Sequence, residues 1–352
     1  MALTVIGVGA VRYTGTFFGR DITGELSDFL WLDIWGQWDT VWYLDIAING
    51  YSAELLTTPG VAGQGNYAFF PLYPMLIRTV GWITGHHFLV GLILSNLFLI
   101  LASIYLYRMV ESHYNEDMAK KTIKYLFIFP TSFVLSGVLT ESMFLFLIIL
   151  CFFFADRRNW LLVGALGFLL SLTRSIGVVV SIPLFYMYLR SIGFDFKHVD
   201  YKIFYFALFP LGLGLFMLHN YYLTGDFLAF VHIQAAWHRE LSNPFVVLWN
   251  SLFHDRFYHA AFAIMSIAIL LITFIWHRIL SLPYFIYALL VVLAPLFSSI
   301  QSMPRLVLVA FPLYVIVAHW SREPLFDRAL TIMFAMFQGF LMTMWANGQL
   351  LI

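Results

Sequence analysis

Apolar residues run along this chain in long blocks broken by short polar stretches. Crossing a bilayer takes about 20 apolar residues. Blocks near that length lie at 88–107, 122–138, 142–155, 160–174, 176–189, 203–222, 258–276, 282–298, 304–320 and 328–346. Residues 1–18 form a further, marginal block that contains Arg12. The stretch 160–189 reads either as one long helix or as two. Thr173-Arg174-Ser175 lies in its middle, and a charge at mid-bilayer costs roughly 2.5–3.5 kcal/mol. Two helices that meet at the membrane surface around Arg174 avoid that cost, so the block divides there. The pattern predicts an all-α polytopic membrane protein with about ten or eleven transmembrane helices. No repeat, low-complexity tract or linker divides 1–352, which reads as a single integral membrane domain.

Composition agrees. Charged residues make up 11% of the chain, against about 25% in soluble domains. Aromatic residues reach 19%, an enrichment that suits interfacial belts and apolar clefts. The formal net charge of zero gives no footing for nucleic acid. Cys151 is the single cysteine and sits in an apolar run, so neither an internal disulfide nor a thiolate metal site can form. The first residues lack the basic segment of a cleavable signal. Met1 is alternatively a late start that cuts the first helix short.

Positive charge marks the cytoplasmic loops: Arg108 with Lys120, Lys121 and Lys124; Arg157-Arg158; Arg190 with Lys197 and Lys202; and His277-Arg278. Walking between them puts Glu141, Arg174, the loop 223–257 and the turn 299–305 on the opposite, external side. Segment 70–84 is short, holds Pro71, Pro74 and Arg78, and runs into Gly85-His86-His87. It reads as an interfacial or re-entrant helix, which makes 19–87 a first external loop. Residues 19–65 fit that side, with Asp21, Glu25, Asp28, Asp33, Asp39, Asp45 and Glu54 against Arg20 alone and no lysine. Within them, 26–48 is rich in Trp, Leu and Ile and is expected to form helices along the membrane surface.

The external face then collects Asp39, Tyr67, Tyr73, Glu141, Arg174, Asp226, Gln234, Trp237, His238, Arg239, Gln301 and Arg305 from six segments. These types suit sugar transfer from a phosphate-linked lipid. Asp39 would take a proton from an acceptor hydroxyl as general base. Arg174, Arg239 or Arg305 would hold the leaving phosphate with a guanidinium fork. Trp38, Trp42, Tyr43 and Trp237 would stack on sugar faces or line the cleft, and Tyr67, Tyr73, Glu141 and Gln234 are further candidates for substrate contact.

Plainer roles stand beside these. Glu141 in Thr140-Glu141-Ser142 also fits a helix N-terminus, and Arg174 and Arg305 also fit snorkelling anchors. Asp226 after Gly225 fits a turn. Gln234, Trp237 and Arg239 fit packing as well as function. His86-His87 lacks the spacing of helical metal ligands, and no metal site is expected.

Several stretches resemble a known family. Trp38-Asp39-Thr40-Val41-Trp42-Tyr43 with Ile46-Ala47 and Gly50-Tyr51 is similar to the first-loop signature of the phosphatidylinositol-glycan class V mannosyltransferases and their prokaryotic relatives. Further matching stretches follow in order: Ala68-Phe69-Phe70-Pro71-Leu72-Tyr73-Pro74; Phe129-Pro130-Thr131 with Thr140-Glu141-Ser142; Leu172-Thr173-Arg174; Gly225-Asp226 leading to Gln234 and Trp237; and Ser302 with Arg305 and Phe311-Pro312. The resemblance runs from about residue 38 to about residue 320.

It implies a GT-C glycosyltransferase fold. The implied enzyme moves mannose, with inversion, from a polyprenyl-phosphate (dolichyl-phosphate-like) donor to a lipid or glycan acceptor on the non-cytoplasmic side. Asp39 matches that superfamily's acidic residue of the first external loop. No cofactor is implied, because the lipid phosphate already leaves well and arginines can hold its charge. The partners implied are the donor lipid, the acceptor and the surrounding membrane lipids. The chain is shorter than the eukaryotic enzyme, which points to a prokaryotic relative in the plasma membrane; a eukaryotic one would sit in the endoplasmic reticulum. Two other classes compete: a lipid-linked sugar transporter or flippase, expected to show internal repeats and helices broken at mid-membrane, and a non-catalytic subunit of a membrane complex.

Overall fold

The computed structural model describes residues 1–14, 26–57 and 62–349. Arg20, Asp21 and Glu25 of the first loop, and the end of the 1–18 block, lie outside the described residues.

The described residues form helices joined by turns and short 3-10 segments. In chain order the helices are α1 (Ala2–Thr14), α2 (Leu30–Asp33), α3 (Thr40–Asn49), α4 (Leu72–Thr84), α5 (His87–His113) and α6 (Glu116–Ile128). Then come α7 (Glu141–Asp156), α8 (Trp160–Ser171), α9 (Ser181–Ser191), α10 (Leu208–Thr224) and α11 (Ala229–His232). The last are α12 (Pro244–Phe253), α13 (Phe257–Ile275), α14 (Leu282–Leu296), α15 (Met303–Leu306), α16 (Phe311–Trp320) and α17 (Pro324–Ala346).

Local chemistry sets many of the ends. Asn115 caps α6 by accepting from the Met118 amide at 2.9 Å, and Glu116 and Asp117 sit in its first turn, where carboxylates favour the helix dipole. Asn159 caps α8 through the Leu162 amide in the same way. Gly85 and Gly225 end α4 and α10 in the left-handed conformation that glycine adopts without penalty.

Among the described residues four helical segments are long and apolar enough to cross a membrane: His87–His113, Tyr201–Thr224, Phe257–Ile275 and Pro324–Ala346. The pair Met303–Val309 and Phe311–Trp320, bent by 83°, makes a fifth if it is one span. Of the ten or eleven spans expected from hydropathy, four or five are met by helices of full length among the described residues. Other apolar blocks fold as shorter helices, such as Trp160–Ser171, Pro244–Phe253 and Leu282–Leu296. The block 122–138 is not one helix. It stops at Ile128, ahead of Pro130, and resumes as a 3-10 turn over Ser132–Ser136, because the residue before a proline is pushed out of the helical region. The division expected at Thr173-Arg174-Ser175 is present, between the end of α8 at Ser171 and a 3-10 turn from Ser175. The stretch 26–48, expected to lie along the membrane surface, folds as the short helices α2 and α3, and 70–84 folds as the short α4.

α7 is the centre of the molecule. It is buried nearly all round and packs chiefly on α5 and α8, which is how a helix apolar on every side is satisfied. Outward faces elsewhere are apolar too, as at Ile332, Met336 and Phe340 on α17, the pattern of helices whose solvent is lipid. α7 also gives the molecule a polarity. Glu141 stands at its first residue and Arg157 just past its last, about 24 Å away at 1.5 Å per residue. At the Arg157 end, His113 of α5 meets Asp156 at 3.4 Å.

The segment that carries Asp39 is clamped to the start of α7. The Val138 amide donates to the Trp35 carbonyl at 3.3 Å, and the Thr40 hydroxyl lies 3.2 Å from the Val138 carbonyl. From behind, the Trp345 indole donates to the Ile34 carbonyl at 2.7 Å. Residues about one hundred positions apart are thereby held so that Asp39 and Glu141 share one end of the bundle.

Candidate active site

Asp39 precedes the first turn of α3 without capping it. Its carboxylate Oδ2 accepts instead from Nη1 of Arg305. The Nε of the same guanidinium donates to Oε1 of Glu141 at 2.5 Å. That oxygen also accepts from Nη1 of Arg174 at 2.5 Å, while Arg174 reaches the Thr140 hydroxyl at 3.5 Å. Arg239 completes the group, donating from Nη2 to the Ser302 hydroxyl at 2.9 Å. The break after α8 supplies Arg174, the loop before α12 supplies Arg239, and α15 supplies Arg305. A hydrogen bond of 2.8 Å from the Thr131 hydroxyl to the Pro304 carbonyl fixes α15 against the turn that leads to α7.

Exposure is graded across the cluster. The side chain of Glu141 is 0% exposed and that of Arg305 6%, whereas Arg174 is 23% and Asp39 26% exposed. The accessible members are therefore the candidate base and two candidate phosphate ligands, Arg174 and the half-buried Arg239, with a buried ion pair beneath them.

Burial alone would raise the proton affinity of Asp39. The charge and hydrogen bond of Arg305, with the charges of Arg239 and Arg174, outweigh it and hold the carboxyl below its ordinary value of 3.8. Asp39 thus contributes stability that is fully present above pH 3.8 and is lost as pH falls through its lower folded value. Burial, then the nearby Asp39 charge, push the neighbouring Tyr43 hydroxyl up to about 12. Tyr43 stays protonated, which leaves Asp39 as the accessible proton acceptor of the group.

Backbone strain gathers here. Trp38, His238 and Ser302 have φ of 58°, 56° and 66°, a left-handed region that costs non-glycine residues on the order of 1–3 kcal/mol each. Each adjoins a member of the cluster: Trp38 precedes Asp39, His238 precedes Arg239, and Ser302 binds Arg239 and starts the turn bearing Arg305. Such conformations persist where the surroundings over-determine them, and they are common at functional sites.

An aromatic wall stands beside the charges. Trp42 stacks on Phe69 with centroids 5.7 Å apart, and Trp237 meets both edge-on at 6.0 and 5.8 Å. Tyr43 packs edge-on against Phe69 at 5.4 Å, and its hydroxyl lies 3.4 Å from that of Thr140. Phe69 was not singled out from the sequence, although it lies in the Ala68-Phe69-Phe70-Pro71 stretch. Its signal was position within that stretch, not chemistry. Trp38 is half-buried, and its indole N–H has no partner among the described residues.

The other candidates are placed less directly. Tyr67 is buried against Ala229 and Ile233, and Gln234 is half-buried with its amide 3.4 Å from the Phe230 carbonyl. Asp226 forms the expected turn, accepting from the Leu228 amide at 2.8 Å, and pairs with His232. Tyr73 is a correction. It is fully buried behind Tyr43, with its hydroxyl 2.6 Å from that of Ser95 and 3.0 Å from the Gly91 carbonyl. It packs edge-on against Tyr43, with ring centroids 5.5 Å apart. Tyr73→Phe is expected to cost about 1 kcal/mol of stability, checked by thermal unfolding. Glu141 is likewise fully buried. Among the described residues no group of three or more His, Cys, Asp or Glu could hold a metal ion.

No protein-family model matches the chain, and no curated protein matches it. Among solved structures it is similar to the Archaeoglobus fulgidus oligosaccharyltransferase tethered to an acceptor peptide, at 12% identity and a TM-score of 0.46 over 99% of this chain and 55% of that one. It is also similar to the same organism's oligosaccharyltransferase in complex with an inhibitory peptide and a dolichol-phosphate, at 13% identity and a TM-score of 0.44 over 99% and 55%. The chain spans about half the length of these solved structures.

Proposed function

We propose that the chain is an inverting GT-C-type glycosyltransferase that moves mannose from a polyprenyl-phosphate donor to a lipid or glycan acceptor at the non-cytoplasmic membrane face. One observation carries this reading: a partly exposed carboxylate, Asp39, is set among three guanidiniums that outnumber the two carboxylates by one charge.

The chemistry follows from that arrangement. Asp39 removes the proton of the acceptor hydroxyl, whose oxygen attacks the anomeric carbon. The bond from that carbon to the phosphate oxygen breaks, and the lipid phosphate departs towards Arg174, Arg239 and Arg305. A phosphodiester donor carries one negative charge, which the excess guanidinium neutralises. When Asp39 has taken the proton the cluster gains one positive charge, and the released phosphate monoester gains one negative charge. Charge is thus balanced before and after transfer, as a preorganised electrostatic site requires. A diphosphate-linked donor would bring a further negative charge without a partner here. Trp42, Phe69 and Trp237 offer apolar faces to the sugar.

The experiment is a donor panel. Membranes holding the protein are given polyprenyl-phosphate mannose, polyprenyl-diphosphate mannose and the corresponding glucose donors. Transfer from the monophosphate mannose donor alone supports the reading. Transfer only from a diphosphate donor overturns the donor class, and preference for glucose overturns the sugar. No transfer from any of them returns the transporter and subunit classes to the front.

The pH dependence carries its own expectation. Asp39 in the free enzyme is held below 3.8, so kcat/KM should stay level as pH falls and drop only below that value. A bound phosphate takes a share of the guanidiniums, so the acid limb of kcat should lie at higher pH than that of kcat/KM. Rate profiles at saturating and at low donor check this. A common limb above pH 5 would contradict it.

A further inference from the structure

The sequence suggests substrate contact or a helix N-terminus for Glu141; it does stand at the first residue of α7, but that position does not account for its contacts. Its side chain is fully buried, and Thr140 and Glu141 make no side-chain cap to α7. Burying a carboxylate costs several kcal/mol even when it is paired, and an apolar residue of similar size often serves stability as well. What the carboxylate adds here is position. Arg174 and Arg305 come from segments more than one hundred residues apart and both end on Oε1. Two nitrogens each 2.5 Å from one oxygen lie within about 5 Å of each other. Two guanidiniums that close repel unless an anion sits between them. Oε2 has no partner among the described residues, so the whole hold passes through Oε1. Each guanidinium keeps further N–H donors free for other partners, and Arg305 already uses one on Asp39.

We propose that Glu141 is a positioning residue, which holds Arg174 and Arg305 together as a paired receptor for the phosphate of the lipid-linked donor and shares Arg305 with Asp39. The inference rests on the transferase reading above. Glu141 does not touch substrate. It acts through the arginines on phosphate affinity, and through Arg305 on the base. The charged and titratable groups around Asp39 are Arg305 of α15, Arg239 of the loop before α12, Arg174 of the break after α8, and Tyr43 of α3. With Glu141 neutral, Asp39 becomes the sole anionic partner of Arg305 and is held more firmly.

The test uses the full chain in lipid nanodiscs, with two substitutions and two readouts. Binding of polyprenyl phosphate, which carries no sugar, is measured first, and transfer kinetics second. Glu141→Ala should weaken polyprenyl-phosphate binding about tenfold or more, because the guanidiniums separate. Glu141→Gln keeps an oxygen at the same place. It should bind the lipid phosphate within about threefold of wild type, lose about tenfold in kcat, and move the acid limb of kcat to lower pH. Ser142→Ala, at the next residue of α7, should change neither readout. A merely structural role would lower the amount of folded protein without moving affinity, kcat or the pH limb. Wild-type affinity in Glu141→Ala, or a wild-type kcat and pH limb in Glu141→Gln, would overturn the proposal. If wild type binds polyprenyl phosphate but transfers no sugar, the transferase reading fails, and Glu141→Ala still decides the positioning role by binding. If wild type binds no polyprenyl phosphate, both fall.

Discussion

Arg305→Ala should abolish sugar transfer and destabilise the fold by about 3–5 kcal/mol, the range seen when one partner of a buried ion pair is removed. Arg305 is almost wholly buried and is the only residue bonded to both Asp39 and Glu141 among the described residues. Without it, Glu141 keeps Arg174 as its one cationic partner among the described residues, with its own side chain fully buried. The loss in rate should be on the order of a hundred- to a thousandfold, the usual effect of removing one preorganised group that stabilises developing charge. Arg305→Lys separates the two effects. An ammonium preserves the charge, so stability should recover in part. It lacks a planar fork able to hold two carboxylates at once, so transfer should stay low. Thermal unfolding in nanodiscs, read beside initial rates, checks both. Wild-type unfolding and rate in Arg305→Ala would remove Arg305 from the centre of the site.

Asp39→Asn should leave expression and unfolding near wild type and lower kcat about a hundred- to ten-thousandfold, the contribution of a positioned general base. The amide has nearly the same shape, and its oxygen can still accept from Arg305. Asp39 is partly exposed, so loss of its charge should cost far less stability than loss of Arg305. Donor KM should change little, because the three guanidiniums remain. A fall in kcat with KM preserved assigns proton removal to Asp39. A rise in KM with kcat preserved would assign it to donor binding instead.

The charged centre was legible in the sequence because each member is conspicuous where it lies. Asp39 sits between tryptophans, and Glu141, Arg174 and Arg305 are ionisable residues flanking apolar blocks. Counting positive loops brought them to one face, and the structure brings them into contact. The pairing itself was not legible. Nothing in the spacing shows that Arg305 bridges Asp39 and Glu141 or that one oxygen takes two guanidiniums, because those contacts depend on the break after α8 and the bend at Ala310. Hydropathy could not show the breaks either: 122–138 and 304–320 each read as one mostly apolar block despite Lys124 and Arg305, yet Pro130 and the turns around Val307–Val309 divide them. Aromatic residues were the hardest to sort. Tyr43 and Tyr73 look alike in sequence, but one borders the cluster and the other is tied to Ser95 behind it.

The most direct measurement is transfer of radiolabelled mannose from polyprenyl-phosphate mannose in membranes that hold equal amounts of wild type or Asp39→Asn. Labelled product with wild type alone is the expected result, and analysis of that product identifies the acceptor. Equal labelled product with both proteins would contradict Asp39 as the base on which the proposed chemistry depends.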